Sequence, residues 1–272
     1  MVANGRQTVA KSPPPRYTLR MDREQDPWWA QFFGSEDSLL LSNFPDDRET
    51  EREIAGLRHM LNLPAGGRLL DVCCGMGRHL VRLARDGHDV LGVDASPMMV
   101  RLAHQAAREF GVTAPVVQGD ASALPFASAA FDAVTNLFNS FGYMATEAQD
   151  MQVLTEAARC LKPGGRLVLD TRNSKFQILY APYHQIVELA DGREATMRCR
   201  WDRATRQLVT TWSDPCQGDR VIHTAAIRLY KVDELEAMLD TAGFEKLAWY
   251  GGYDCHPFEG YERQLIYVGR RR

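Results

Sequence analysis

The sequence predicts an α/β fold: a doubly wound, mainly parallel sheet carrying an antiparallel β-insert and ending in an antiparallel strand. Three observations predict it. From residue 68 to about 170, short apolar runs alternate with stretches of helical periodicity, the pattern of strands joined by crossover helices. Between 172 and 230 the apolar period drops to two over several runs broken by Asp191-Gly192 and Asp214-Pro215, which reads as antiparallel strands. The runs Phe244 to Tyr250 and Gln264 to Val268 are then separated by a link, 251–263, too short for a helical crossover, so they pair antiparallel.

The elements follow in order. Residues 1–16 are polar, close on Ser12-Pro13-Pro14-Pro15 and read as a disordered leader. Residues 17–62 read as a helical lid. In it Pro27 follows Asp26 at a helix start, and Trp28, Trp29, Phe32 and Phe33 are too aromatic for a solvated arm. Ile54, Leu57 and Leu61 mark a second helix, stopped by Pro64 and Gly66-Gly67. The core is expected over 63–171 and 231–272, with strands at 68–74, 89–94, 115–118, 131–137 and 166–170. Ser96-Pro97 opens one helix, and Thr146 with Gln149 makes a capping box for another. Residues 172–230 form the insert, with Met197, Cys199 and Trp201 on one face of a strand.

Composition bounds the function. The 272 residues are 25% charged and 45% hydrophobic, as in a globular enzyme, and make one large domain with an insert. A net charge of −3 implies no general attraction to nucleic acid. The six cysteines show no CxxC or paired zinc spacing, which predicts a reduced, cytoplasmic protein without a metal site. There is no 18-residue apolar run, so no membrane association is expected.

The chain is organised around Leu69-Leu70-Asp71-Val72-Cys73-Cys74-Gly75-Met76-Gly77-Arg78-His79-Leu80, a buried strand, a glycine turn and a helix start. Nineteen residues beyond Gly75, the next strand ends in Asp94, placed to bind the two hydroxyls of a ribose. A dinucleotide fold wants a third small residue where Leu80 stands. A carboxylate at Asp71 also repels a pyrophosphate and attracts an ammonium or sulfonium. The D-x-x-x-G-x-G string followed by an acid resembles motif I of the class I S-adenosylmethionine (SAM)-dependent methyltransferases, in a bacterial small-molecule variant. Asp94, the string after strand four and Leu161-Lys162-Pro163-Gly164-Gly165 extend the resemblance over about residues 45–270.

The resemblance implies a Rossmann-like, seven-stranded sheet and a site for SAM, with S-adenosylhomocysteine (SAH) as product. It implies cofactor contacts from Asp71, Cys73, Gly75, Gly77, Arg78, Asp94, Ala95, Met99, Gly119, Asp120, Ala121 and Leu137. Among them Asp120 and the Ala121 N–H read adenine, and Arg78 lies toward the carboxylate end. Asn136 to Tyr143 stands where the family passes methyl group and acceptor. It lacks the D/N-P-P-Y string of the branches that methylate DNA bases, against a nucleic-acid acceptor. Trp28, Trp29, Phe33, Asn139, Phe141, Tyr143, Arg172, Trp201, Tyr253 and His256 are the expected acceptor contacts. His256, Tyr143 and Asp254 are the candidate catalytic groups, all on loops.

The expectation is therefore a methyltransferase, monomeric or homodimeric, acting on a small molecule, with an indole-like or other heterocyclic ring or an amine as acceptor. Its rivals are a non-catalytic SAM or SAH binder and a nicotinamide-dependent oxidoreductase. Leu80 and the terminal hairpin speak against the latter.

Overall fold

A computed structural model describes residues 27–34, 45–189 and 192–272. The expected leader, residues 17–26 and 35–44 of the lid, and the turn residue Asp191 lie outside the described residues. The strands are β1 (Arg68–Val72), β2 (Asp89–Asp94), β3 (Val116–Gln118), β4 (Phe131–Asn136), β5 (Leu161–Arg172), β6 (Tyr183–Glu188), β7 (Glu194–Asp202), β8 (Gln207–Asp214), β9 (Arg220–Arg228), β10 (Phe244–Tyr250) and β11 (Gln264–Arg271). The helices are α1 (Trp28–Gly34), α2 (Asp47–Leu61), α3 (Leu80–Arg85), α4 (Pro97–Glu109), α5 (Glu147–Cys160), α6 (Ser174–Tyr180) and α7 (Val232–Thr241).

The main sheet has the order β10-β11-β5-β4-β1-β2-β3. β3, β2, β1, β4 and β5 are parallel, and β11 is antiparallel to both β5 and β10. Its faces follow from the period of two along each strand. Leu69, Ala133, Val168 and Ile266 pack with α2, α3 and α4 through Leu57, Leu80 and Ala103. Leu70, Val134, Leu167 and Leu265 pack with α5 and α7 through Leu154 and Leu235. Burial of both faces explains why these strands read as continuous apolar runs. The helix starts are those the sequence marks. The Ser96 hydroxyl accepts from the Met99 N–H, and Thr146 and Gln149 close their reciprocal box.

The second sheet, β6-β7-β8-β9, is wholly antiparallel. It holds one strand and one helix more than the sequence reading gives. β6 shows little alternation because it is an edge strand with both sides largely exposed. α6 starts at Asn173, whose side chain accepts from the Lys175 N–H. β5 also begins earlier than expected, at Leu161, with a register break opposite Phe131 and Ala133 that takes in the Lys162-Pro163-Gly164-Gly165 stretch. α1 links the sheets: Trp28 and Phe32 pack on Trp212 and Ala225 of the insert, and Phe33 packs on Met98 and Met99 of α4.

Candidate active site

The carboxyl ends of the parallel strands, the insert and α1 enclose a cavity of about 1210 Å³. Such ends are where an open α/β sheet offers backbone groups and a crevice to a ligand. One half of the cavity is polar. Asp94 closes β2, and its two carboxylate oxygens accept from the Gly75 N–H at 2.8 Å and the Ser96 N–H at 2.9 Å. It therefore ties the turn after β1 to the start of α4. Burial raises its pKa, and the two N–H bonds oppose the rise. Gly75 and Gly77 have φ of 55° and 82°, left-handed values that favour glycine. A Cβ on Gly75 would meet nothing within 4 Å, so a ligand can approach this backbone.

Asp71 lies beneath that turn, buried, with the Thr135 hydroxyl 2.8 Å from one oxygen. Burial pushes its carboxyl up to about 7. Cys73 is no nucleophile: burial and the carboxylates of Asp94 and Asp71 drive its thiol pKa far up. Asp120, after β3, has one oxygen bound by the Ser122 N–H and hydroxyl, both at 2.8 Å. Its other oxygen has no hydrogen bond among the described residues.

On the opposite side of the glycine turn, Arg78 is held by Glu53 and by Thr50 of α2, with its guanidinium 4.6 Å from the centre of the Phe138 ring. His79 Nε2 lies 2.7 Å from Glu53. Burial lowers His79 to about 4, so the neutral ring donates to the Glu53 carboxylate. Burial alone would raise Glu53, but His79 and Arg78 hold it below the usual carboxylate value. Arg78 Nη2 is buried without a partner among the described residues. A diol reader, a free acceptor at Asp120, an open glycine backbone and an orphaned guanidinium N–H fit a ligand carrying ribose, adenine and a carboxylate.

The other half is aromatic. Tyr143, on the loop after β4, sits 4.7 Å from Trp28 and stacks at 6.2 Å on Phe33. Phe32 lies 5.3 Å from Trp212 of β8, and Tyr183 adds wall from β6. Burial pushes the Tyr143 phenol up to about 12, so it stays neutral. Phe138 and Asn139 both take left-handed φ, 57° and 63°. Two such non-glycine residues in a row need outside support, and Asp170 gives it. Its carboxylate accepts from the Phe138 N–H at 3.1 Å and its carbonyl from the Asn139 N–H at 3.2 Å. The same carboxylate oxygen accepts from the Tyr253 hydroxyl at 2.8 Å, so Asp170 fixes two loops at once. Burial raises Asp170 to about 6. At the rim, His256 Nδ1 lies 2.5 Å from Asp254, and the imidazole lies against the backbone of Gly251.

Every residue of the expected cofactor set except Gly77 lines this cavity, and so does every residue of the acceptor set except Phe141 and Trp201. Gly77 acts through packing, since a Cβ there would press the Ala103 Cβ at 3.1 Å. Phe141 is core, 5.5 Å from Tyr230. Trp201 packs with Cys199, Leu208 and Leu229, because β7 leaves the cavity beyond Met197. The catalytic candidates His256, Tyr143 and Asp254 all line the wall. Sequence reasoning missed Glu53, which looks like an ordinary solvent-facing acid of an amphipathic helix. It also missed Asp170, whose signal was an acid closing the apolar run 166–170.

Fold and cavity together define an enzyme built on a nucleoside cofactor. A methyltransferase-domain family model matches residues 69–165. The demethylmenaquinone methyltransferase of Tropheryma whipplei (strain Twist) is 32% identical over 192 residues, covering 70% of this chain and 71% of that protein. Among solved structures, the CcbJ methyltransferase from Streptomyces caelestis shares the fold, with a TM-score of 0.72 at 22% identity over 88% of this chain and 97% of that one. The sugar N-methyltransferase KedS8 from Streptoalloteichus sp ATCC 53650 gives a TM-score of 0.62 at 25% identity, over 98% of this chain and 100% of that one. The chain belongs to the class I SAM-dependent methyltransferases. Its acceptor is a small molecule, and no helix among the described residues is long and apolar enough to cross a membrane.

Proposed function

We propose that the protein methylates a small aromatic or heterocyclic metabolite held between α1, the loop after β4 and the insert. The single observation that carries this is the wall of Trp28, Phe32, Phe33, Tyr143 and Trp212 facing the polar half of the cavity. Flat apolar side chains at low entropic cost suit a flat ligand. SAM, when bound, supplies a methyl group already activated on a sulfonium. The chain's part is to align the acceptor and exclude water. Asp94, Asp120 and Arg78 hold the cofactor. Tyr143 and Asn139 would border the acceptor and orient its nucleophilic nitrogen, oxygen or ring carbon toward the methyl group. His256, oriented by Asp254, takes a proton where the acceptor must lose one.

A second reading, an amine acceptor, draws support from the likeness to a sugar N-methyltransferase. A reduced, cytoplasmic setting draws support from the six unpaired cysteines. The test is transfer of labelled methyl from SAM to a panel of indoles, phenols and amines, read by mass. Label on a ring compound establishes the aromatic reading, label on aliphatic amines alone establishes the second, and SAH binding without transfer to any acceptor would leave a cofactor-binding protein. In the same assay, kcat against pH for His256→Ala decides the base. Loss of a limb near neutral pH assigns it, and an unchanged profile withdraws the assignment.

A further inference from the structure

The acceptor half holds two arginines that no described residue engages through the side chain. Arg172 ends β5, and Arg263 immediately precedes β11, where Gln264 pairs with Arg172 across the ladder. Both line the cavity. Arg172 is partly buried, and its Nε is enclosed with no acceptor. Neither guanidinium makes a hydrogen bond or ion pair among the described residues. Elsewhere in the molecule partly buried arginines are matched: Arg78 by Glu53, Arg82 by Asp47 and Glu51, Arg228 by Asp150.

Three acids near the pair in sequence are already taken. Asp170 accepts from Tyr253 and Phe138. Glu262 accepts from the backbone N–H groups of Glu259, Gly260 and Tyr261. Asp254 is bound to His256. Among the described residues, neither cation has an ion-pair partner. Their charge also reaches Tyr183, where it opposes the rise that burial imposes on the phenol.

A partly buried guanidinium without an acceptor forgoes the charge-assisted bonds for which its planar fork is shaped. Such unmatched groups in a binding cavity mark where ligand atoms belong. The aromatic wall supplies two more donors, since the indole N–H groups of Trp28 and Trp212 are likewise buried without partners among the described residues. We infer that the acceptor carries a carboxylate, seated by Arg172 and Arg263 at the ends of two adjacent strands, while its ring lies on the aromatic wall. The inference rests on the aromatic-acceptor reading and adds an anionic group to it.

The test uses the full-length, SAH-loaded protein and two probes that share a ring, indole-3-acetate and indole-3-acetamide, titrated by calorimetry at low salt. The acid should bind about tenfold more tightly than the amide, the size of one charge-assisted contact of roughly 1.4 kcal/mol. Arg172→Gln should bring the acid down to the amide's affinity and leave the amide and SAH unchanged. Arg172→Lys should restore part of the preference, because the charge returns without the fork. Arg263→Gln, at an exposed position, should reduce the preference without abolishing it, and it decides the matter if Arg172→Gln fails to fold. Equal binding of acid and amide to the wild type, or equal loss of both in Arg172→Gln, would overturn the carboxylate site alone. Binding of neither probe would refute the aromatic-acceptor reading and the carboxylate site with it.

Discussion

The two halves of the cavity are built by opposite means. The cofactor half is made of backbone and short acids at strand ends. Asp71 lies near the end of β1, Asp94 closes β2 and Asp120 follows β3, and their oxygens accept from N–H groups and hydroxyls at the same sheet edge. The acceptor half is made of large side chains drawn from α1, the loop after β4, β6, β8 and the terminal hairpin, with few hydrogen bonds among them. The first arrangement suits one invariant molecule bound by fixed polar atoms. The second can change its ligand by exchanging side chains without disturbing the sheet. The halves meet at the Ser96 hydroxyl, which donates to the Phe33 carbonyl at 2.6 Å and so ties α1 to the strand tip beside Asp94.

If that division holds, its largest break comes at Asp94. Asp94→Ala removes an acceptor for two ribose hydroxyls, each charge-assisted bond contributing roughly 1.5 kcal/mol. SAM affinity should fall about 100-fold in isothermal titration, in a variant whose melting curve shows it folded. Asp170 is next, because it supports the acceptor side from below. Asp170→Asn should keep the fold but loosen Phe138, Asn139 and Tyr253, lowering kcat about tenfold through misalignment. SAH binding should stay within about twofold. An equal loss of SAH binding would show that the loops serve the cofactor instead. Trp212→Ala should cost less, raising the acceptor KM several-fold at unchanged SAH affinity, since Trp212 touches the aromatic wall and no polar group of the cofactor half.

What the sequence disclosed follows the same line. The cofactor half was legible because strand ends are local: an acid nineteen residues beyond a glycine turn needs no tertiary contact to be recognised. The acceptor half assembles elements remote in the chain, so single residues misled. Trp201 shares a face with Met197, yet the ladder pairs Trp201 with Leu208 and Met197 with Trp212, and only the second pair reaches the cavity. Phe141 reads like its neighbour Phe138 but turns into the core against Tyr230. Glu53 was invisible because its partners Arg78 and His79 lie 25 and 26 residues on.

The smallest effect sharpens the polar side of the comparison. His79 is held at about 4 in the folded protein against about 6.5 unfolded. The unfolded chain therefore binds the extra proton between those values, and stability from this group is full above pH 6.5 and lost as pH falls toward 4. Asp71 and Asp170, both raised by burial, contribute the opposite slope over an overlapping range. His79→Gln keeps those two and removes only the histidine. Urea midpoints at pH 7 and pH 4.5 should thus show a smaller acid loss in the variant than in the wild type, and an identical loss would mean that His79 titrates normally.

The most direct test of the division between the halves is a crystal structure of the protein with SAH. Both ribose hydroxyls should lie on the Asp94 carboxylate, adenine beside Asp120 and Ala121, the amino-acid carboxylate at Arg78, and sulfur turned toward Tyr143 and Asn139. A ribose bound away from Asp94, or a homocysteine chain lying among Trp28, Tyr183 and Trp212, would contradict it.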